Sequence, residues 1–165
     1  VDHHLRRARA AARAQAAGDR TPVEEVFDEI APMLERVFQA KGVEIDWRCP
    51  EDLCFRGERQ DLQEIIGNVL ENACKWCRGK VRALAGPDGL GRLVLVIEDV
   101  GPGLPEEQRD TMLKRGERLD ENAPGSGLGL AIVDELVRAY GGRVTLGEAE
   151  LGGLKAIIEL PAVET

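Results

Sequence analysis

No uninterrupted apolar stretch in the 165 residues approaches the roughly 20 needed to span a membrane, and no secretory h-region opens the chain. Cysteine is scarce. Four thiols in a sequence that is 43% hydrophobic do not make a disulfide scaffold, and they suit a reducing cytosol. Clustered basic residues are confined to the start. Residues 1–20 hold Arg6, Arg7, Arg9, Arg13 and Arg20 against Asp2 and Asp19, a balance of +3, so the other 145 residues carry −11. Such a body lacks the Lys and Arg clusters that neutralise a phosphate backbone, which disfavours nucleic acid as a partner. It can still hold a smaller polyanion through local cations, glycine-loop amides and a metal ion. What is present, with 32% charged residues, has the composition of a globular domain, and the length suits one domain, or one domain with a helical appendage. The chain begins at Val1 and is expected to be a piece of a longer polypeptide.

Residues 3–17 are rich in Ala and Arg, with high helix propensity but almost nothing to build a core. They read as the tail of a severed helix, followed by a Gly18-Asp19-Arg20 linker. Thr21-Pro22-Val23-Glu24 has the form of a helix start, with Thr21 as N-cap, Pro22 at the first position and Glu24 closing a capping box. Apolar residues at 23, 26, 27, 30, 34, 37 and 38 keep the helical period up to Gly42, and Pro32 is expected to kink or split that helix. Val43–Arg48 alternates as a strand, with Leu53–Arg56 as a short partner. A second helix spans about Arg59–Cys77, and Lys80–Ala85 with Arg92–Glu98 reads as a hairpin. Beyond a glycine- and proline-rich stretch, 101–129, with a short polar helix near 105–115, come a helix over Gly127–Tyr140 and a last hairpin, Arg143–Gly147 with Leu154–Leu160. Hairpins combined with helices on one face predict an α+β protein, a two-layer sandwich, rather than a doubly wound parallel sheet.

Four stretches carry chemistry. In Asp61–Cys77, Asn68, Asn72 and Lys75 stand at i, i+4 and i+7 and project from one side of the helix. Two carboxamide oxygens a turn apart can ligate a hard cation and a lysine can meet a phosphate, although a solvated helix face has the same pattern. Five apolar residues, 93–97, run into Glu98-Asp99-Val100-Gly101-Pro102-Gly103-Leu104. There a carboxylate can accept a bond from a base's amine and glycines admit a flat ring, but a tight turn after a strand uses the same residues. Gly125-Ser126-Gly127-Leu128-Gly129-Leu130 precedes a helix whose free amides favour phosphate, yet it fails both the dinucleotide fingerprint and the P-loop pattern. Lys114–Pro124 is polar and carries Arg115 and Arg118, as a cationic lid or an ordinary surface loop would.

Their order along the chain resembles the ATP-binding catalytic domain of sensor histidine kinases, within the wider group of gyrase, heat-shock chaperone, histidine kinase and MutL. The likeness covers about residues 21–160. Asn68–Lys75 with Trp76 is similar to the N box, Asp99–Leu104 to the G1 box and Gly125–Leu130 to the G2 box. Asn72-Ala73-Cys74-Lys75-Trp76-Cys77, Arg115-Gly116 and Leu151-Gly152-Gly153 resemble the PhoQ-like group most. One departure is that Met112-Leu113-Lys114-Arg115-Gly116 stands where the family has its F box and phenylalanine.

The resemblance implies a Bergerat-type ATP-binding fold over 21–165, with a mixed sheet and about three helices on one face. It makes residues 1–20 the remnant of a dimerisation and phosphoacceptor helix. Asp99 would read the adenine amine, Gly101 and Gly103 would admit the base with Leu104 beside them, and Trp76 would cover it. Asn68 and Asn72 would hold Mg²⁺. Lys75, Arg115 and Arg118 would act on the phosphates, Ser126 on the metal or phosphate, and Gly127, Leu128 and Gly129 would supply amides. Hydrolysing members carry a glutamate four residues before the metal-binding asparagine; Asn68 stands there and cannot take a proton, so ATP hydrolysis is expected to be slow. His3 and His4 lack the His-Asp/Glu-x-x-x-Pro surroundings of an acceptor. The fragment is therefore expected to bind Mg-ATP without phosphorylating itself, and to have an acceptor histidine domain and a response regulator as partners. Its own place is the cytoplasm, without membrane contact, in a parent anchored in the inner membrane. Two other readings share these motifs: an anti-sigma-factor type of serine kinase, and a degenerate nucleotide-binding regulatory module. The cysteines are expected to be buried thiols rather than zinc ligands.

Overall fold

Apolar residues at 62, 65, 66, 69, 70 and 73 make one continuous stripe, and all six are buried in the core. They form the inner face of the longest described helix in a computed structural model that describes residues 19–101, 107, 109, 128–150 and 152–163. The described elements, in chain order, are β1 (Thr21–Pro22), α1 (Val23–Val37), a 3₁₀ turn (Gln39–Lys41), β2 (Glu44–Arg48), β3 (Cys54–Phe55) and α2 (Arg59–Trp76). Then come β4 (Lys80–Pro87), β5 (Arg92–Asp99), α3 (Leu128–Ala139), β6 (Arg143–Glu148) and β7 (Leu154–Pro161). The expected Ala/Arg helix of residues 3–17, the short helix near 105–115 and the lid at 114–124 lie outside the described residues, apart from Glu107 and Arg109.

Five strands form one mixed sheet in the order β2-β4-β5-β7-β6. Only β2 and β4 run parallel, and α2 lies between them in the chain; the other pairs are antiparallel, β4–β5 and β6–β7 as hairpins and β5–β7 between strands separated in the chain by α3 and β6. The apolar run of β5 splits by strand alternation: Leu93, Leu95 and Ile97 enter the core while Val94 and Val96 face the other side, half-buried. α2 packs on β4 and β5, α3 on β6 and β7, and α1 on β2, so three helices cover one face. This is the expected two-layer α/β sandwich. Each fully buried Leu or Ile contributes about 1.5–3 kcal/mol to holding the layers together.

Three local expectations fail for long-range reasons. Thr21 and Pro22 are not the first turn of α1 but a strand paired with Cys54 and Phe55. The Thr21 hydroxyl donates to the Gly57 carbonyl at 3.0 Å instead of capping the helix, and Pro22 is the N-cap without a side-chain bond. β3 accordingly pairs with β1 and not with β2. Pro32 does not split α1, which runs unbroken across it with Pro32 on the exposed side. After α1 the chain turns through Gly42, whose φ of 72° favours a residue without a Cβ.

At the far end of β4 and β5, Asp88 Oδ1 accepts from the amides of Leu90 (2.8 Å) and Arg92 (3.1 Å) and fixes the hairpin tip. An open cleft of about 390 Å³ lies there, lined by Leu53, Pro87, Arg92 and Ala162 among others. It is at the opposite end of the sheet from Asp99, which pairs with Val81 near the start of β4. The four thiols are free: Cys54, Cys74 and Cys77 are buried and Cys49 half-buried. Burial pushes the Cys74 thiol up to about 12, so it stays protonated and packs as an apolar group.

Candidate functional site

β5 ends on Asp99, which points to the core side where the apolar strand residues lie, and it is only 2% exposed. Desolvation raises its carboxyl from 3.8 to about 6, against the lowering effects of the Leu154 amide and the Lys41 charge. The Leu154 amide donates to Oδ1 at 3.3 Å. Glu98, the preceding residue, faces the other side and pairs with Arg82 at 2.9 Å and Lys155 at 3.7 Å. Two adjacent carboxylates thus have unlike surroundings: Glu98 is neutralised by cations, whereas Asp99 has little but backbone around it.

Two glycines explain how chain segments come so near that carboxyl. A Cβ on Gly101 would lie 2.6 Å from the Trp76 carbonyl oxygen and 3.0 Å from Asp99 Oδ1. A Cβ on Gly153 would overlap both the carbonyl oxygen and Oδ1 of Asp99. Main-chain bonds close the same corner, Val100 donating to the Lys80 carbonyl at 3.1 Å and Arg78 to the Val100 carbonyl. The last turn of α2, with Lys75 and Trp76, is therefore held beside the end of β5. The Trp76 ring is 43% exposed, an unusual position for an indole that had only a core role.

One turn and two turns back along α2 stand Asn72 and Asn68, both half-buried. Asn68 Nδ2 donates to the Glu64 carbonyl at 2.7 Å, while its Oδ1 would lie 3.0 Å from a Cβ on Gly129. The missing side chain at 129 thus lets the start of α3 approach the asparagine face of α2. Among the described residues no hydrogen bond engages that Oδ1. Two carboxamide oxygens on one helix face are hard donors suited to Mg²⁺, which commonly takes its other ligands from water and phosphate. Lys75 Nζ lies 3.6 Å from Glu71 Oε1, an exposed i,i+4 pair worth at most a few tenths of a kcal/mol and easily exchanged for another anion.

Of the residues singled out in the sequence, Asn68, Asn72, Lys75, Trp76, Asp99, Gly101 and Gly129 converge on this corner, and Leu128 opens α3. Gly103, Leu104, Arg115, Arg118, Ser126 and Gly127 lie outside the described residues. The sequence reading gave no role to Gly153, Leu154 or Lys41. Gly153 had a visible signal, the Gly152-Gly153 pair; the other two had none.

The chain belongs to the family of histidine kinase-, DNA gyrase B- and HSP90-like ATPases, whose pattern matches residues 57–164. The sensor protein PhoQ of Escherichia coli K12 is 40% identical over 134 residues, which cover 81% of this chain and 27% of PhoQ. The chain thus spans about a quarter of that relative's length. Among solved structures, the mycobacterial sensor histidine kinase MprB superposes with a TM-score of 0.76 at 30% identity, covering 89% of this chain and 99% of that one. Full-length ShkA, solved in complex with AMPPNP, gives a TM-score of 0.72 at 28% identity, covering 99% of this chain and 37% of that one.

Proposed function

We propose that the chain is the Mg-ATP-binding catalytic domain of a two-component sensor histidine kinase, acting on the cytoplasmic side of its parent protein. It donates the γ-phosphoryl group to a histidine on a dimerisation domain, from which the phosphate passes to a response regulator. The observation that carries this reading is the buried Asp99 carboxyl, framed by Gly101 and Gly153 at the same corner as Trp76 and the asparagine face of α2. Family membership, the PhoQ likeness and the AMPPNP-bound ShkA relative support it.

In this reading Asp99 accepts a hydrogen bond from the adenine amine, Gly101, Gly103 and Leu104 line the base, and Trp76 covers one face of it. Asn68 and Asn72 hold Mg²⁺ through their carboxamide oxygens; the ion, when bound, neutralises charge on the phosphates. Lys75, Arg115 and Arg118 contact phosphate oxygens. Ser126, Gly127, Leu128 and Gly129 meet them at the start of α3, where free amides and the helix dipole favour anions. Phosphoryl transfer needs little more from the protein than such positioning and charge neutralisation. Neither Asn68 nor Asn72 can serve as a base for water, so the γ-phosphate is kept for another nucleophile. In this reading residues 1–20 are the remnant of the dimerisation and phosphoacceptor helix with its linker.

Neither His3 nor His4 sits in an acceptor motif. Purified chain incubated with radiolabelled ATP is therefore expected to take up no label, while a separately made acceptor-histidine domain added to it becomes labelled slowly, since proximity is lost. Label on the chain alone, or none on the acceptor, would refute the proposal.

A further inference from the structure

Lys41 belongs to none of the stretches assigned above. It closes the 3₁₀ turn between α1 and β2, just before the left-handed Gly42. Its ammonium reaches the last turn of α2, donating to the carbonyl oxygens of Cys74 at 2.9 Å and Lys75 at 2.6 Å. Carbonyls at a helix C-terminus have no partner within the helix, and a cation there also meets the negative end of the dipole.

The turn that carries Lys41 is itself anchored. Phe38 donates to the Leu34 carbonyl and Gly42 to the Gln39 carbonyl, each at 2.9 Å. Glu44 donates to the Gly79 carbonyl and Ile45 to Glu35 Oε2, again at 2.9 Å. The lysine therefore extends from a fixed base and ties down the very turn that presents Lys75 and Trp76. The Trp76 carbonyl lies against Gly101, and Gly101 against Asp99. Lys41 also acts on Asp99 directly, since its charge favours the ionised carboxyl and opposes desolvation.

We infer that Lys41 is a positioning residue for the adenine end of the site, fixing the last turn of α2 opposite Asp99. This deepens the nucleotide reading and rests on it. Among the described residues, the groups around Asp99 are the Leu154 amide from β7, Gly153 from the β6–β7 connection, the Trp76 carbonyl from the end of α2, and Lys41. The nearby charges of Glu98, Arg82 and Lys155 pair with one another on the opposite face of the sheet.

The test is a calorimetric titration with Mg-AMPPNP of the wild type and of K41M, K41Q and K41R, repeated between about pH 5 and about pH 8, with a thermal melt of each protein. K41M is expected to lose about tenfold in affinity near neutrality and to remain folded, since Lys41 is exposed. The pH at which affinity falls away should move up, because the charge that favours the ionised carboxyl is gone. K41Q, which keeps a donor without the charge, should show the same movement with a smaller loss. K41R, which keeps both, should restore most of each. Wild-type affinity and pH profile in folded K41M would overturn the inference alone. So would a loss with an unmoved profile that K41R fails to repair. No heat with the wild type would overturn the nucleotide reading and the inference together.

Discussion

At Asp99 two demands oppose each other. In the proposed function the adenine amine requires an ionised acceptor, whereas a carboxyl that is 2% exposed in an apolar corner is more stable protonated. Its folded value of about 6 lies above the ordinary 3.8, so the folded state binds the proton more tightly than the unfolded chain does. Ionising it near neutrality costs folding on the order of 3 kcal/mol, a penalty that is fully present above about pH 6 and fades as the pH falls towards 3.8. From this group the nucleotide-free fold should therefore gain stability on acidification from about pH 7 to pH 5, while nucleotide affinity should fall through about pH 6. Asp99→Asn separates the two effects. It should melt higher than wild type at neutral pH and flatten the pH dependence, yet bind ATP about 10–100-fold more weakly by calorimetry. Unchanged affinity in that variant would remove the adenine contact.

Among the elements, α2 was the most legible, because its apolar period is regular and its exposed side carries the asparagines. The same helix serves core and site, so its substitutions sort by face. Asn72→Ala leaves the buried stripe intact and is expected to weaken Mg-ATP about tenfold while changing metal-free ATP far less, in parallel titrations with and without chelator. Equal loss in both would count against metal ligation. α1 is where local sequence misleads. Thr21-Pro22-Val23-Glu24 satisfies every local rule for a helix start, but pairing with Cys54 and Phe55 engages the first two residues as a strand. No local signal at 21 reveals a partner more than thirty residues away. Pro32 shows the reverse: a strong local breaker overridden by the burial of Ile30, Ala31 and Leu34 around it. It still lacks the amide that the Asp28 carbonyl would use. Pro32→Ala, on the exposed side, should therefore raise stability by about 1–3 kcal/mol in denaturant melts without altering nucleotide affinity. Lys41 was illegible for the same reason as β1, since nothing around it in sequence announces a helix end 34 residues on.

Taken whole, the described site joins residues from α2, the end of β5, the β6–β7 connection and the first turn of α3, elements that sequence order keeps far apart. A ligand that bridges them binds the folded chain and has no comparable partner in the unfolded one, so it must stabilise the domain by mass action. At a nucleotide concentration about 100-fold above Kd that is worth about 2.7 kcal/mol. For a chain of this size it corresponds to a rise in melting temperature of about 5–11 °C. If Asn68 and Asn72 hold the ion as proposed, the rise should require magnesium for most of its size. It should shrink in Asp99→Asn, which would remove the proposed contact at the other end. An excess of guanine nucleotide should give much less, since a carboxylate that accepts from an exocyclic amine meets a carbonyl at the corresponding position of guanine. A scanning melt with Mg-ATP, chelated ATP and Mg-GTP checks all three. Equal shifts for adenine and guanine would show that the stabilisation comes from phosphate alone, and would detach Asp99 from base recognition even with the fold and the family unchanged.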